Sequence, residues 1–262
     1  MNHTISSAPA YEQASYMPTY TAPKETSPSQ ASEPVAHTQS PLVTGTSVLG
    51  IKYKDGVMLV ADCLASYGSL ARFRDVERLF KVTDSTLIGT SGDISDLQYI
   101  KRQLERLIIR EESNGDGHSL GTPQIYEYLC QVMYGRRSKM NPLWNSHVVG
   151  GMDEEGKPFL GFVNLQGTTY QSTTIATGFG AHLSQPLLRK AVEGREDQVT
   201  EEEARKLLDD CMRVLFYRDA RSMNKFQRAT ITAQGIHITE PYGVDTEWAF
   251  GEGIRGYGAH QM

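Results

Sequence analysis

The order of elements in this sequence predicts an α+β fold: a four-layer α-β-β-α sandwich of two stacked antiparallel sheets with helices covering both outer faces. Three observations predict it. Segments with a period of two and segments with a helical period alternate as strands, two helices, strands, two helices, strands. The strand segments are separated by short turn signals such as Lys54-Asp55-Gly56, "DEEGK" and "QGT". At 262 residues the chain is long enough to bury one large core.

The elements follow in order. "TSVLGIKY" and "VMLVAD" flank the Lys54-Asp55-Gly56 turn as a hairpin, and "STLIGTSG", residues 85–92, is a third strand ending at Gly92-Asp93. The period then changes: Leu97, Ile100, Leu104, Leu107 and Ile108 mark one helix, and Ile125, Leu129, Val132 and Met133 mark another that ends before Pro142. "NSHVVGGM", "PFLGFVNL" and "TTYQSTTIATG" are read as three further strands. Helices resume after Gly180, the clearest starting at Thr200 with Glu203 in capping-box spacing and an apolar stripe of Ala204, Leu207, Leu208, Cys211, Met212 and Leu215. "FQRATITA" and "GIHIT" close the domain as strands.

Composition excludes several functions. A formal net charge of -5 gives no global attraction to nucleic acid or to an anionic membrane, so neither is an expected partner. No apolar run approaches the roughly 18 residues of a membrane span. The sequence has no Walker motif, no G-x-G-x-x-G after a strand, no H-E-x-x-H and no Cys/His cluster with zinc spacing, so no cofactor and no metal site is expected. Cys63, Cys130 and Cys211 are widely spaced and odd in number, which fits buried thiols in a reducing compartment. The basic run Arg136-Arg137-Ser138-Lys139 fits a solvated helix C-terminus. Residues 1–37 are rich in Ser, Pro, Ala and Thr without apolar periodicity and are expected to be disordered, as a flexible tail or a propeptide.

Thr46, Asp62 and Arg78 stand at equal intervals of 16 residues, and "YRDARS" supplies Asp219 and Ser222 three apart. With "GTSGDISD", "RRSKMNPLWN" and "TGFGAH" followed by "PLLRK", these segments resemble the β subunits of the 20S proteasome, which are N-terminal-nucleophile threonine hydrolases. The resemblance runs from about residue 38 to the C-terminus. It implies a disordered propeptide over residues 1–37, cleavage between His37 and Thr38, a retained extension over 38–45, the β-subunit domain over 46–242 and a C-terminal arm over 243–262. It also implies partners among the other α and β subunits, β subunits of the opposite ring included, and a cytoplasmic and nuclear location.

In active members of that family the threonine matching Thr46 becomes the first residue and its free α-amino group is the base, with a lysine beside its hydroxyl. Here an arginine, Arg78, stands at the lysine position, and arginine keeps its proton at physiological pH. Phe179, between Gly178 and Gly180, replaces a supporting hydroxyl. No catalytic residue is therefore expected: Thr46, Asp62, Arg78, Phe179, Asp219 and Ser222 are vestigial positions, with Thr46 a strand residue and Asp219 and Ser222 finishing a helix. The alternatives are an active threonine endopeptidase that uses Thr46 after cleavage at Gly45, and a free-standing scaffold. The tail from residue 243 has no evident periodicity, and Trp248, Phe250, Ile254 and Tyr257 among its glycines fit an arm that orders in a groove on a partner or folds back on its own domain. The resemblance implies that this arm reaches the opposite ring.

Overall fold

Two sheets lie face to face in the computed structural model, which describes residues 40–249. The strands are β1 Val43–Gly45, β2 Val48–Tyr53, β3 Gly56–Asp62, β4 Ala65–Tyr67, β5 Leu70–Phe73, β6 Leu79–Lys81, β7 Thr86–Asp93, β8 Asn145–Met152, β9 Pro158–Asn164, β10 Thr169–Gln171, β11 Thr174–Ala176, β12 Phe226–Thr232 and β13 Gly235–Ile238. The helices are α1 Ile94–Glu112, α2 Thr122–Ser138, α3 Gly180–Leu183, α4 Gln185–Val192 and α5 Glu201–Arg218. One sheet runs β10-β9-β8-β7-β1-β4-β5 with β6 also on β7; the other runs β11-β2-β3-β12-β13, and every pairing is antiparallel.

Three apolar layers hold the sandwich together. Val48, Leu59, Leu87, Val148 and Ile231 meet between the sheets. Ile88, Val149 and Val163 pack under Leu97, Ile100 and Leu104 of α1 and Ile125 and Leu129 of α2. On the opposite face Ile51, Met58 and Val60 pack under Leu188 of α4 and Leu208, Cys211 and Leu215 of α5. Because both faces of β3 are covered, all seven of its residues are buried. The three cysteines are buried and unpaired, and the four-layer expectation holds.

Several local expectations give way. Thr46 is not a strand residue: it lies with Ser47 in the gap between β1 and β2, where the chain crosses from one sheet to the other. "TTYQSTTIATG" is two strands in different sheets, since the Ser172 amide still bonds Leu160 of β9 while the Thr173 carbonyl already accepts from Lys52 of β2. Both halves are extended, so a period of two cannot register the switch. β1, β4, β5 and β6 are three or four residues each, too short for a pattern, and β5 is exposed throughout. The capping box is half formed: the Thr200 hydroxyl accepts from the Glu203 amide at 3.2 Å, but the Glu203 carboxylate pairs with Arg195. Beyond β13 the chain stays packed through Trp248, with Tyr242, Val244 and Thr246 half-buried between exposed neighbours.

His147 on β8 is fully buried, its Nδ1 2.9 Å from the Thr90 hydroxyl. Burial pushes its pKa down to about 3. Between that value and the ordinary histidine pKa near 6.5 the unfolded chain binds a proton that the folded chain does not. Stability is therefore expected to fall as pH drops below about 6.5, by about 1.4 kcal/mol per pH unit from this residue. Denaturant midpoints of wild type and His147→Gln at pH 7 and pH 5 should diverge, with the variant losing less.

Candidate functional site

The site forms where the chain leaves β1 for β2. Arg78, 1 % exposed, reaches under this crossing from just ahead of β6. Its Nε donates to the Asp62 carbonyl at 2.9 Å; Nη1 donates to the carbonyls of Thr46 at 2.7 Å and Thr90 at 3.2 Å; Nη2 donates to the Ser47 carbonyl at 3.0 Å and to the Asp62 carboxylate. A guanidinium has five N–H groups, and all five are engaged. Asp62 completes the pair by accepting the Met223 amide at 3.1 Å. Burial pushes the Asp62 carboxyl up, while the Arg78 charge and the Met223 amide pull it down. Gly45 makes room for this side chain, since a Cβ there would stand 2.3 Å from Arg78 Cδ.

The Thr46 hydroxyl donates to Asp219 Oδ2 at 2.5 Å. Asp219 is the C-cap of α5 and its other oxygen accepts the Arg221 amide at 2.9 Å; the Ser222 hydroxyl donates to the carbonyls of Asp219 at 2.7 Å and Leu215 at 3.2 Å. Asp219 and Ser222 form a hydrogen-bonded helix end, to which the Thr46 contact is added. Gly178, at φ +59°, turns the chain into α3, and Phe179 at its N-cap is 58 % exposed. The neighbouring Gly180 amide donates to the Ser47 hydroxyl at 2.9 Å. Thr46, Gly92, Trp144, Phe179, His182 and Arg221 share the wall of a cavity of about 490 Å³. The structure therefore brings Thr46, Asp62, Arg78 and Asp219 into one hydrogen-bonded cluster, with Ser222 behind Asp219 and Phe179 on the cavity wall.

The residues ahead of Thr46 are built into the fold. β1 pairs with β7 through Thr44–Asp93 and Gly45–Gly92 and with β4 through Val43–Tyr67 and Thr44–Ser66. It is the strand that joins the β4–β5 hairpin to the rest of its sheet. Asp93 anchors the entry: one carboxylate oxygen accepts the Leu42 amide at 3.0 Å, and the other caps α1 at the Ser95 amide. Sequence reasoning did not single out Ser47 or Thr90, and it read Asp93 only as the end of a strand. An aspartate directly before an apolar helical run was the readable signal for the last.

Trp248 lies against its own domain, edge-on to Phe216 at 6.1 Å and Tyr217 at 5.1 Å between ring centroids, and stays 53 % exposed. His37, Thr38, Phe250, Ile254 and Tyr257 lie outside the described residues. Among the described residues no cluster of His, Cys, Asp and Glu is placed to hold a metal, and no helix is long and apolar enough to cross a membrane.

Comparison with known proteins agrees with this geometry. The family model described as "Proteasome subunit" matches residues 42–231. The chain belongs to the proteasome subunit family. It is 54% identical to the "Probable proteasome subunit beta type-7" of Schizosaccharomyces pombe over 87% of this chain and 88% of that protein. It is 49% identical to the "Proteasome subunit beta type-4" of Xenopus laevis over 90% of this chain and 97% of that protein. The Saccharomyces cerevisiae "Proteasome subunit beta type-7" is 47% identical over 87% and 89% of the two chains. As a β-type proteasome subunit the chain is part of a multi-subunit protease, and its α+β sandwich is the family's fold.

Within this β-type subunit the Arg78 cluster makes two variants informative. A lysine at 78 offers three donors for five acceptors, so Arg78→Lys is expected to destabilise the subunit by about 3 kcal/mol by stranding buried carbonyls. Gly45→Ala displaces the guanidinium and should destabilise to a comparable degree. Urea midpoints of the chain, or the yield of assembled core in cells, would measure both, and peptidase activity of the cores that form should match wild type.

Proposed function

We propose that this chain is a non-catalytic structural subunit at the seventh β position of the 20S proteasome. It completes the wall of the proteolytic chamber for ubiquitin-dependent protein degradation, while other β subunits cut the substrate. One observation carries the reading: all five Arg78 N–H groups are spent on carbonyls and on Asp62. None remains to stabilise an alkoxide at Thr46, and arginine does not exchange its proton near neutral pH. The nitrogen of Thr46 is a peptide amide and not a base. Exposing it as an amine would remove β1, whose two neighbours depend on it for their connection.

Its partners on this reading are the adjoining α and β subunits, together with β subunits of the opposite ring through an arm that supports the joining of half-particles. No cofactor takes part. Three buried, unpaired cysteines fit the reducing cytoplasm and nucleus. A second reading, an active threonine endopeptidase, draws on the 2.5 Å contact between the Thr46 hydroxyl and Asp219, a carboxylate placed to take a proton. Without a basic amine or a lysine that contact holds the hydroxyl in place and does little else.

The two readings separate at the mature N-terminus. Edman sequencing of the subunit from purified cores should start at or near Thr38 and retain Val43–Gly45; a start at Thr46 would overturn the non-catalytic reading. A threonine-directed covalent inhibitor should label other β subunits and leave this one unmodified. Thr46→Ala should leave every peptidase activity of the core unchanged.

A further inference from the structure

The last described residues form a continuation of the β12–β13 hairpin. Phe226 and Tyr242 exchange backbone hydrogen bonds at 2.7 and 2.9 Å. Two residues further in the same register the Asn224 side chain takes over from the backbone: its Nδ2 donates to the Val244 carbonyl and its Oδ1 accepts the Val244 amide, both at 2.8 Å. Arg213 Nε then donates to the Asp245 carbonyl at 2.8 Å, and the Tyr217 hydroxyl accepts the Glu247 amide at 2.7 Å. Trp248 closes the series against Phe216 and Tyr217. Below it, Tyr242 donates to Asp209 at 2.6 Å and accepts from Arg228 at 3.0 Å, and Tyr242 and Val244 pack on the apolar layer under α5.

We infer that residues 241–248 are a root of the C-terminal arm, clamped to its own domain by Asn224, Arg213 and Tyr217, and that the arm's part in joining half-particles depends on this clamp. The inference rests on the reading that the arm helps half-particles join, and it assigns three positioning residues to that step. A segment that leaves the domain from a fixed point loses less conformational freedom on reaching a partner than one hinged at Glu240. Successive bonds from α5 to positions 245 and 247 fix the chain as far as Trp248.

Three chains expressed as the only copy of the subunit test this: wild type, one truncated after Trp248, and Asn224→Ala combined with Tyr217→Phe. Assembly is read by native gels of half-particles and cores, and the root by hydrogen exchange of peptide 242–248 in purified cores. The double variant should exchange there about tenfold faster, with α5 and β12 unchanged, and half-particles should accumulate as they do on truncation. Should the double variant fold poorly, Tyr217→Phe alone removes one oxygen from an exposed contact and tests the same point. Accumulation on truncation with normal joining in a loosened root overturns the positioning role alone. Normal joining on truncation overturns the arm's part in assembly. An unprotected root in wild type overturns the clamp.

Discussion

One buried cation organises the middle of this protein. Burying a guanidinium away from water is costly unless every N–H finds an acceptor and the charge finds a counter-charge. Arg78 meets both conditions with groups from two sheets: Thr90 belongs to β7, Asp62 to β3, and Thr46 and Ser47 to the crossing between them. The crossing leaves β1 and β2 without a ladder between them, so its carbonyls need another donor. Arg78 is that donor. Its side chain holds the two layers in register at the first of the places where the chain itself passes from one to the other, and Gly45 is small so that it can.

The same arrangement sets what Thr46 can do. A nucleophilic hydroxyl needs a group that can take its proton and a positive charge aimed at its oxygen. The positive charge here is aimed at the threonine's carbonyl, and the hydroxyl is turned to the capped end of α5. A separate constraint bears on β1. A strand paired on both sides cannot be removed without exposing the edges of β7 and β4 and detaching a hairpin whose outer strand is already solvent-exposed. On the proposed reading, an arginine at 78 and a retained β1 are mutually consistent: β1 fills sheet positions that a chain starting at Thr46 would leave empty.

Strands, long helices and core stripes could be read from the sequence because burial on one face imposes a period that survives in the residue order. β8 was read with the limits it has, Asn145–Met152, from a short run around Val148 and Val149 closed by the "DEEGK" turn. α1 and α5 were legible from their helical period, and the site positions Thr46, Asp62, Arg78, Phe179, Asp219 and Ser222 came from matching segments to a family. The arm's root was missed although its signal was present: Tyr242, Val244, Thr246 and Trp248 are aromatic or β-branched residues at a period of two, hidden by the glycine at 243 and the flexible composition that follows.

The sequence by itself determined the four-layer class, the long elements and the absence of a lysine at position 78, since these depend on local periodicity and residue type. Only the tertiary structure decided that Thr46 lies between sheets, that residues 168–178 change sheets at Ser172, and that β1 is paired on both edges. It alone decided where the five Arg78 donors go and that Trp248 rests on α5. Each of these depends on which distant segments meet, Thr46 with Asp219 across 173 positions and Asp62 with Met223 across 161. A local pattern carries no record of such meetings, because an extended residue looks the same in either sheet and a donor's chemistry does not name its acceptor.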